Sequence, residues 1–173
     1  MELISYSEFA KLRLRNFVSN DVEIFEREGV EWLGGYWIGE SVRGADFARW
    51  EEIPNETGGM DLDFSLLPDP TMRAILETIQ LPLRPGMKLE EVYSILGQPK
   101  ERDIFGDSVH DRQTDNFETN SAQPHHIGCS VHNDTGLLGV SVVRGDILSK
   151  VQAKEAAFIA ELKAEQSRKK SST

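Results

Sequence analysis

One pairing scheme sorts residues 125–144, HHIGCSVHNDTGLLGVSVVR, into two chemically different faces, and no other stretch constrains the fold as strongly. With Asn133-Asp134-Thr135-Gly136 as the loop, His132 opposes Leu137, Val131 opposes Leu138, Cys129 opposes Val140 and Ile127 opposes Val142. The last three pairs are apolar and share one face. Ser130 with Gly139, Gly128 with Ser141 and His126 with Val143 fall on the other. A slip of one residue would mix the two sets, so the pattern specifies its own register. The hairpin needs a sheet to belong to, and its apolar face needs a cover.

The cover is written just upstream. In RPGMKLEEVYSILGQP, residues 84–99, Pro85-Gly86 make a turn and Met87 can pack back on the helix that follows. Glu90 and Glu91 lie in the first turn, where the helix dipole favours negative charge. Leu89, Val92, Tyr93 and Leu96 share a face, Gly97 terminates in a left-handed conformation and Pro99 forbids continuation. The result is a helix of about nine residues, suited to lying on a sheet. A second helix opens at DPTMRAILETIQ, with Asp69 as cap and Pro70 at the first helical position. Met72, Ile75, Leu76 and Ile79 form its apolar face.

Before these, a helix is expected from Ser5 to Phe17, with Ser5 and Glu8 spaced as a capping box. DVEIFEREGVEWLGGYWIGESV reads as strand, Glu28-Gly29 turn and strand, with a bulge or close approach at Gly34-Gly35. FARWEEIP and GMDLDFSLL read as further strands, the latter with Leu62, Phe64 and Leu66 on one face. A less regular strand is expected around ERDIFGD. SVHDRQTDNFETNSAQP reads as a polar loop. From Asp146 to about Gln166 the chain is helical, with Leu148, Val151, Phe158 and Leu162 as its stripe, before a frayed SRKKSST tail.

The composition narrows the partners. The net charge is −10, and residues 1–80 hold 16 acidic against 7 basic side chains, the remainder 13 against 12. A strongly acidic first half would repel phosphates, so nucleic acid is not expected there; a basic partner or plain solubility is. No apolar run approaches the roughly 20 residues of a membrane span, and MELISYSEFAKLRLRNF has no apolar core of a signal peptide. Cys129 is the single cysteine, which excludes a disulfide framework and fits a reducing cytoplasm.

The segment G-M-x-x-x-x-V-x-x-[IL]-L-G-x-P, carried by Gly86, Met87, Val92, Ile95, Leu96, Gly97 and Pro99 ahead of the hairpin 125–144, resembles a known repeat. It looks like the αα-βββ module of the SmpA/OmlA outer-membrane assembly lipoproteins and of the β-lactamase inhibitory protein, over about residues 70–145. Lys88 stands where the family usually has a hydroxyl or acid cap, and no lipidated cysteine lies near the N-terminus. The resemblance implies a module whose sheet face or loops bind another protein, without chemistry of its own. In a cytoplasmic bacterial setting it implies an inhibitor or an immunity protein against a toxin.

The densest polar constellation is HHIGCSVH, with His125, His126, Cys129 and His132. A cysteine–histidine nucleophilic pair requires contact, whereas Cys129 and His125 sit four residues apart on one strand face, about 13 Å at the strand rise. Cys129 falls among apolar neighbours, where a thiol behaves as a small hydrophobe. Zinc could gather His126 and His132 only with ligands from elsewhere. MDLDFSLL resembles the D-x-D-x-[TV] signature of haloacid-dehalogenase-type phosphotransferases, with Asp61 as nucleophile and Asp63 as acid/base. That chemistry needs a buried strand before the motif and a Rossmann-like sheet after it, and neither is written here. A calcium loop fails at Leu66 and Met72, where glycine and glutamate are required. An amphipathic strand with Asp61, Asp63 and Ser65 outward is the simpler reading.

The sequence therefore predicts an α+β fold, an antiparallel β-meander packed against short helices. Residues 1–68 form a helix-plus-meander half that is a candidate diverged copy of the module at 69–145, and a terminal helix, 146–173, lies across the join. The expected function is non-enzymatic binding of another protein, basic in character, with no catalytic residue, cofactor or metal, no nucleic acid and no membrane. Trp32, Tyr36, Trp37, Glu40, Glu51, Asp61 and Asp63 are the candidate partner-binding residues, the aromatics being core or interface. Homodimerisation stays open. The alternative is a small enzyme or metal-binding protein using the hairpin residues 125–132.

Overall fold

The computed structural model describes the backbone of residues 1–37, 40–50, 53–105 and 111–171, and side chains within these except at 34–43, 50–54 and 103–110. The fold is α+β. Helix α1 (Tyr6–Ala10) and a 3-10 turn (Leu14–Phe17) precede strands β1 (Phe25–Arg27), β2 (Val30–Trp37), β3 (Glu40–Trp50) and β4 (Ile53–Asp63). Helices α2 (Asp69–Ile79) and α3 (Leu89–Leu96) precede β5 (Glu101–Phe105), β6 (Arg112–Glu118), β7 (His125–His132) and β8 (Gly136–Arg144), and α4 (Gly145–Ser171) closes the chain. Among the described residues the strands make one antiparallel sheet in the order β1-β2-β3-β4-β8-β7-β6-β5. Two four-stranded meanders thus meet through their last strands, with Leu62 opposite Val140 and Met60 opposite Val142.

One face of this sheet carries the core. Phe47, Met60, Leu62, Phe117, Ile127, Cys129, Val140 and Val142 meet Phe9, Leu14 and the α2 and α3 side chains in a single cluster. The α2 face is the predicted one: Met72, Ile75, Leu76 and Ile79 are its buried residues. Its cap differs. Pro68 occupies the N-cap position and Asp69 is the first helical residue, ion-paired one turn on with Arg73 at 3.1 Å. Helix α3 ends at Gly97 with φ +83° and ψ −157°, a combination open to glycine alone. Its first turn is held by Glu91, whose carboxylate accepts from the Lys88 N–H at 2.8 Å.

The predicted hairpin register holds from His126–Val143 to Ser130–Gly139 and then slips at a bulge, so that Val131 faces Leu137 and His132 faces Gly136. The slip has a cause outside the hairpin. Leu137 donates to the Met87 carbonyl at 2.9 Å and accepts from the Gly86 N–H at 3.0 Å, which draws Leu137 rather than Leu138 into the core. Gly136 sits at φ +83°, and a Cβ there would collide with the Gly86 carbonyl. The turn before α3 and the turn of the hairpin are one joint.

Three other expectations are corrected. The first helix stops at Ala10, because Arg13 bonds the Ala10 and Leu12 carbonyls at 2.9 and 2.8 Å and the Thr57 hydroxyl at 2.9 Å, while the Thr57 hydroxyl itself donates to Leu12. The Ser5–Glu8 capping box is present. FARWEEIP spans the end of β3 and the start of β4, and β4 ends at Asp63, leaving Leu66 exposed and Leu67 buried instead. The stretch read as a polar loop contains β6; its residues 108–110, like 106–107 at the end of ERDIFGD, lie outside the described set.

Helix α4 departs furthest from expectation. Its first turn packs on the sheet, with Ile147 against Gly58 of β4. From Gln152 onward its residues are exposed, including Phe158, Ile159 and Leu162, so it does not lie across the join. Among the described residues no helix is long and apolar enough to cross a membrane.

Candidate functional site on the open sheet face

Strand alternation puts a second set of residues on the face away from the helices. One row crosses six strands as Trp32, Asp46, Asp61, Ser141, Gly128 and Asn116. The next row runs Asp63, Gly139, Ser130 and Thr114. Between them lies a shallow groove of about 330 Å³, with Arg112 and Ser65 at its rim. Its floor is short because it must be. A Cβ at Gly139 would stand 2.6 Å from the Leu62 carbonyl oxygen, and one at Gly128 would stand 2.6 Å from the Ser141 hydroxyl. The start of α4 borders one end of this face, where Leu148, Ser149 and Gln152 flank His126 and Glu118.

The carboxylates differ in their work. Asp61 lies opposite Asp46 in the cross-strand register and two residues from Asp63 on its own strand. Partial burial in the groove, and then the charge of Asp63, raise the Asp61 carboxyl above its ordinary value, against a small opposing pull from the Leu62 main chain. Asp63 holds the end of β4: its carboxylate accepts from the Ser65 N–H at 2.9 Å and the Ser65 hydroxyl at 2.6 Å. The groove thus offers carboxylate and hydroxyl oxygens above a glycine floor, a set suited to accepting hydrogen bonds from a cationic donor.

Of the predicted partner-binding residues, Asp61 and Asp63 share the groove. Trp32 lies in the same row but is only 7% exposed and stacks on Phe25, with ring centroids 5.9 Å apart. Little of its ring is left for a partner to meet. Glu51 and the side chains of Tyr36, Trp37 and Glu40 lie outside the described residues.

The histidine-rich strand β7 is divided between the two faces. His125 and Cys129 are fully buried on the core side, and His126 lies on the open one. His132 caps the hairpin turn, its Nδ1 accepting from the Asp134 and Thr135 N–H groups at 3.1 and 3.3 Å. Burial, and then nearby Asp115, push the Cys129 thiol up to about 12, far from a thiolate at neutral pH. Among the described residues no three His, Cys, Asp or Glu side chains are grouped to hold a metal ion.

Sequence reasoning missed the polar cluster under α3. Asp115, fully buried on β6, accepts from Arg102 Nε at 3.0 Å, from Gln113 Nε2 at 3.0 Å and from the Tyr93 hydroxyl, which Arg102 also contacts. Burial and then Asp115 raise the Tyr93 phenol above its ordinary range. The cluster pins α3 to β5 and β6 with every Asp115 oxygen satisfied. Its signal in the sequence was the alternation Gln113, Asp115, Phe117, in which one apolar residue stands among polar ones. Searches with family models, curated proteins and solved structures returned no match to this chain.

Proposed function

We propose that the chain is a non-enzymatic protein-binding module that receives a basic partner on the open sheet face, in the manner of an immunity or inhibitor protein. The observation that carries this reading is the placement of Asp61 and Asp63 on one face of β4, where the charge of Asp63 bears on Asp61, over a floor too short to cover them. Carboxylates so arranged repel one another in the free protein, and a lysine or arginine from a partner relieves that repulsion. The net charge of −10 would steer a basic protein toward the same surface. The resemblance of residues 70–145, which fold here as two helices followed by the four strands β5–β8, to the αα-βββ module supports binding through the sheet, and the lone buried thiol fits a cytoplasmic setting.

The test begins with capture of binding proteins from a lysate on the immobilised chain. It is decided by the association rate of the recovered basic protein. That rate should fall steeply with added salt, and Asp61→Asn/Asp63→Asn should lower it several-fold while leaving dissociation little changed. The side-chain amide oxygen introduced by Asp63→Asn would still accept from the Ser65 N–H, so the strand end is kept. A partner whose association ignores both salt and the double substitution refutes the reading, as does the recovery of none.

A further inference from the structure

His125 is a fully buried side chain whose two ring nitrogens have no hydrogen-bond partner among the described residues. Buried polar atoms are almost always paired, so a residue that forgoes both bonds calls for a reason. The ring lies at a junction of the chain's two ends. Tyr6 of α1 meets it edge-on at 5.2 Å and Phe9 packs on it at 5.4 Å. Arg144, its cross-strand neighbour on β8, lies over the Tyr6 ring at 5.1 Å. The Tyr6 hydroxyl donates to the Pro124 carbonyl, the Tyr6 N–H to Gln123 Oε1 at 2.7 Å, and the first N–H of α4, on Gly145, also to Pro124, at 2.8 Å.

We propose that His125 is an acid-sensitive latch, which holds α1 against the sheet while its imidazole is neutral and releases α1 when the ring takes up a proton. A protonated imidazole has two N–H donors and a charge, and the polar side chains around it are committed elsewhere. Arg144 on β8 is a second cation. Asp146 of α4, whose charge acts on the ring, and Glu56 of β4 are engaged with Arg144 at 2.7 and 2.9 Å. Tyr6 of α1 has donated its hydroxyl, and Thr119 beside β6 accepts from the His125 main chain at 2.9 Å. Inside, the imidazolium gains only the pull of the Gln123 main chain and the charge of Asp146, which burial outweighs, and it is solvated by lifting the Tyr6–Phe9 cover. In keeping with this geometry, burial above all pulls the ring from 6.5 down to about 4. The Gln123 main chain opposes that fall without bonding either nitrogen, Arg144 deepens it and Asp146 resists it.

The sign follows by linkage. The closed form holds the neutral ring, so its advantage is complete above 6.5, shrinks as pH falls, and is gone below about 4. Over that interval the closing equilibrium weakens by up to about 300-fold, one decade for each unit of the gap. Hydrogen exchange of the full chain, corrected for intrinsic rates, reads the effect at pH 7 and 4.5. Amides of residues 4–12 should lose protection by tens of fold in the wild type, with the β7 and β8 amides unchanged. His125→Phe keeps a ring between Tyr6 and Phe9 and removes the proton site, so its residues 4–12 should lose less than about twofold. The imidazole resonances of the wild type, titrated by NMR, provide a reading that does not depend on the variant folding, and His125 should titrate near 4. Equal loss in both proteins, a core that opens together with α1, or a His125 midpoint near 6.5 would each overturn the latch.

Discussion

Along β4, Met60 and Leu62 are sealed beneath the helices, while Asp61 and Asp63, one residue away in each case, line the groove on the other side. The same contrast runs through β8, where Val140 and Val142 are buried and Ser141 between them borders the groove. One face is therefore occupied by contacts that exclude water, and changes there are felt as stability. Among the described residues the other meets a helix at the root of α4, so its polar side chains carry fewer packing demands, Trp32 and the glycine floor apart. The division is not one of apolar against polar. The core face also carries the fully buried Asp115 and His125, and Glu31, whose carboxylate accepts from the Leu14 N–H at 3.2 Å. Asp115 is fully bonded and His125 is not, so the buried polar groups on a single face differ in kind: one reinforces the fold and the other makes it sensitive to acid.

The sharpest way to break the comparison is a matched pair of substitutions on neighbouring strands. Ile127→Ala removes a fully buried side chain from the centre of β7 and should cost about 2–5 kcal/mol in denaturant unfolding. Ser141→Ala, facing the groove from β8, should cost less than about 0.5 kcal/mol. Similar losses for the two would mean that the open face is packed after all.

Asp115→Ala should give the next largest effect. It strips the acceptor from Tyr93, Gln113 and Arg102 together and leaves two of those donors partly buried, for a loss of about 1–3 kcal/mol. The unfolding midpoint should fall with an unchanged denaturant slope. A neutral outcome would mean that water or another acceptor replaces the carboxylate and that α3 docks through apolar contacts alone.

These residues also mark how far the sequence could be read. The hairpin β7–β8 was legible because six of its inward residues are apolar and its outward ones, Leu138 and Val143 apart, are not, so period and burial agree. The α2 face was legible for the same reason. Strand β6 was not, because Asp115 takes an inward position and its partners come from α3 and β5, which no local pattern announces. The hairpin bulge was hidden likewise, since Gly86 and Met87 impose it from about fifty residues upstream. In α4 the stripe Leu148, Val151, Phe158 and Leu162 is present, yet only the root finds a surface to meet. Asp61 and Asp63 could be placed outward from alternation alone, but the opposing Asp46 and the glycine floor became visible only through the cross-strand register.

Asp61 supplies the smallest effect and the most direct test of what the open face is for. Its carboxyl is raised by burial and by Asp63, so the folded chain binds the Asp61 proton more tightly than the unfolded chain does. For an acid shifted in this direction, ionisation weakens the fold: stability falls as pH rises through the ordinary carboxylate value and the raised one, and the penalty is fully present above both. Asp61→Asn removes the charge and keeps the shape. It should therefore raise stability at pH 7 by less than about 0.5 kcal/mol, and the gain should vanish near pH 3, where the wild-type carboxyl is protonated in both states. The measurement is a pair of urea unfolding curves at each pH. A gain at pH 7 together with slower association of a basic partner would describe a residue kept at some cost to the fold because its charge is used. A loss of stability at pH 7 would mean that Asp61 is held by a favourable contact within the chain, and the groove would then be part of the scaffold.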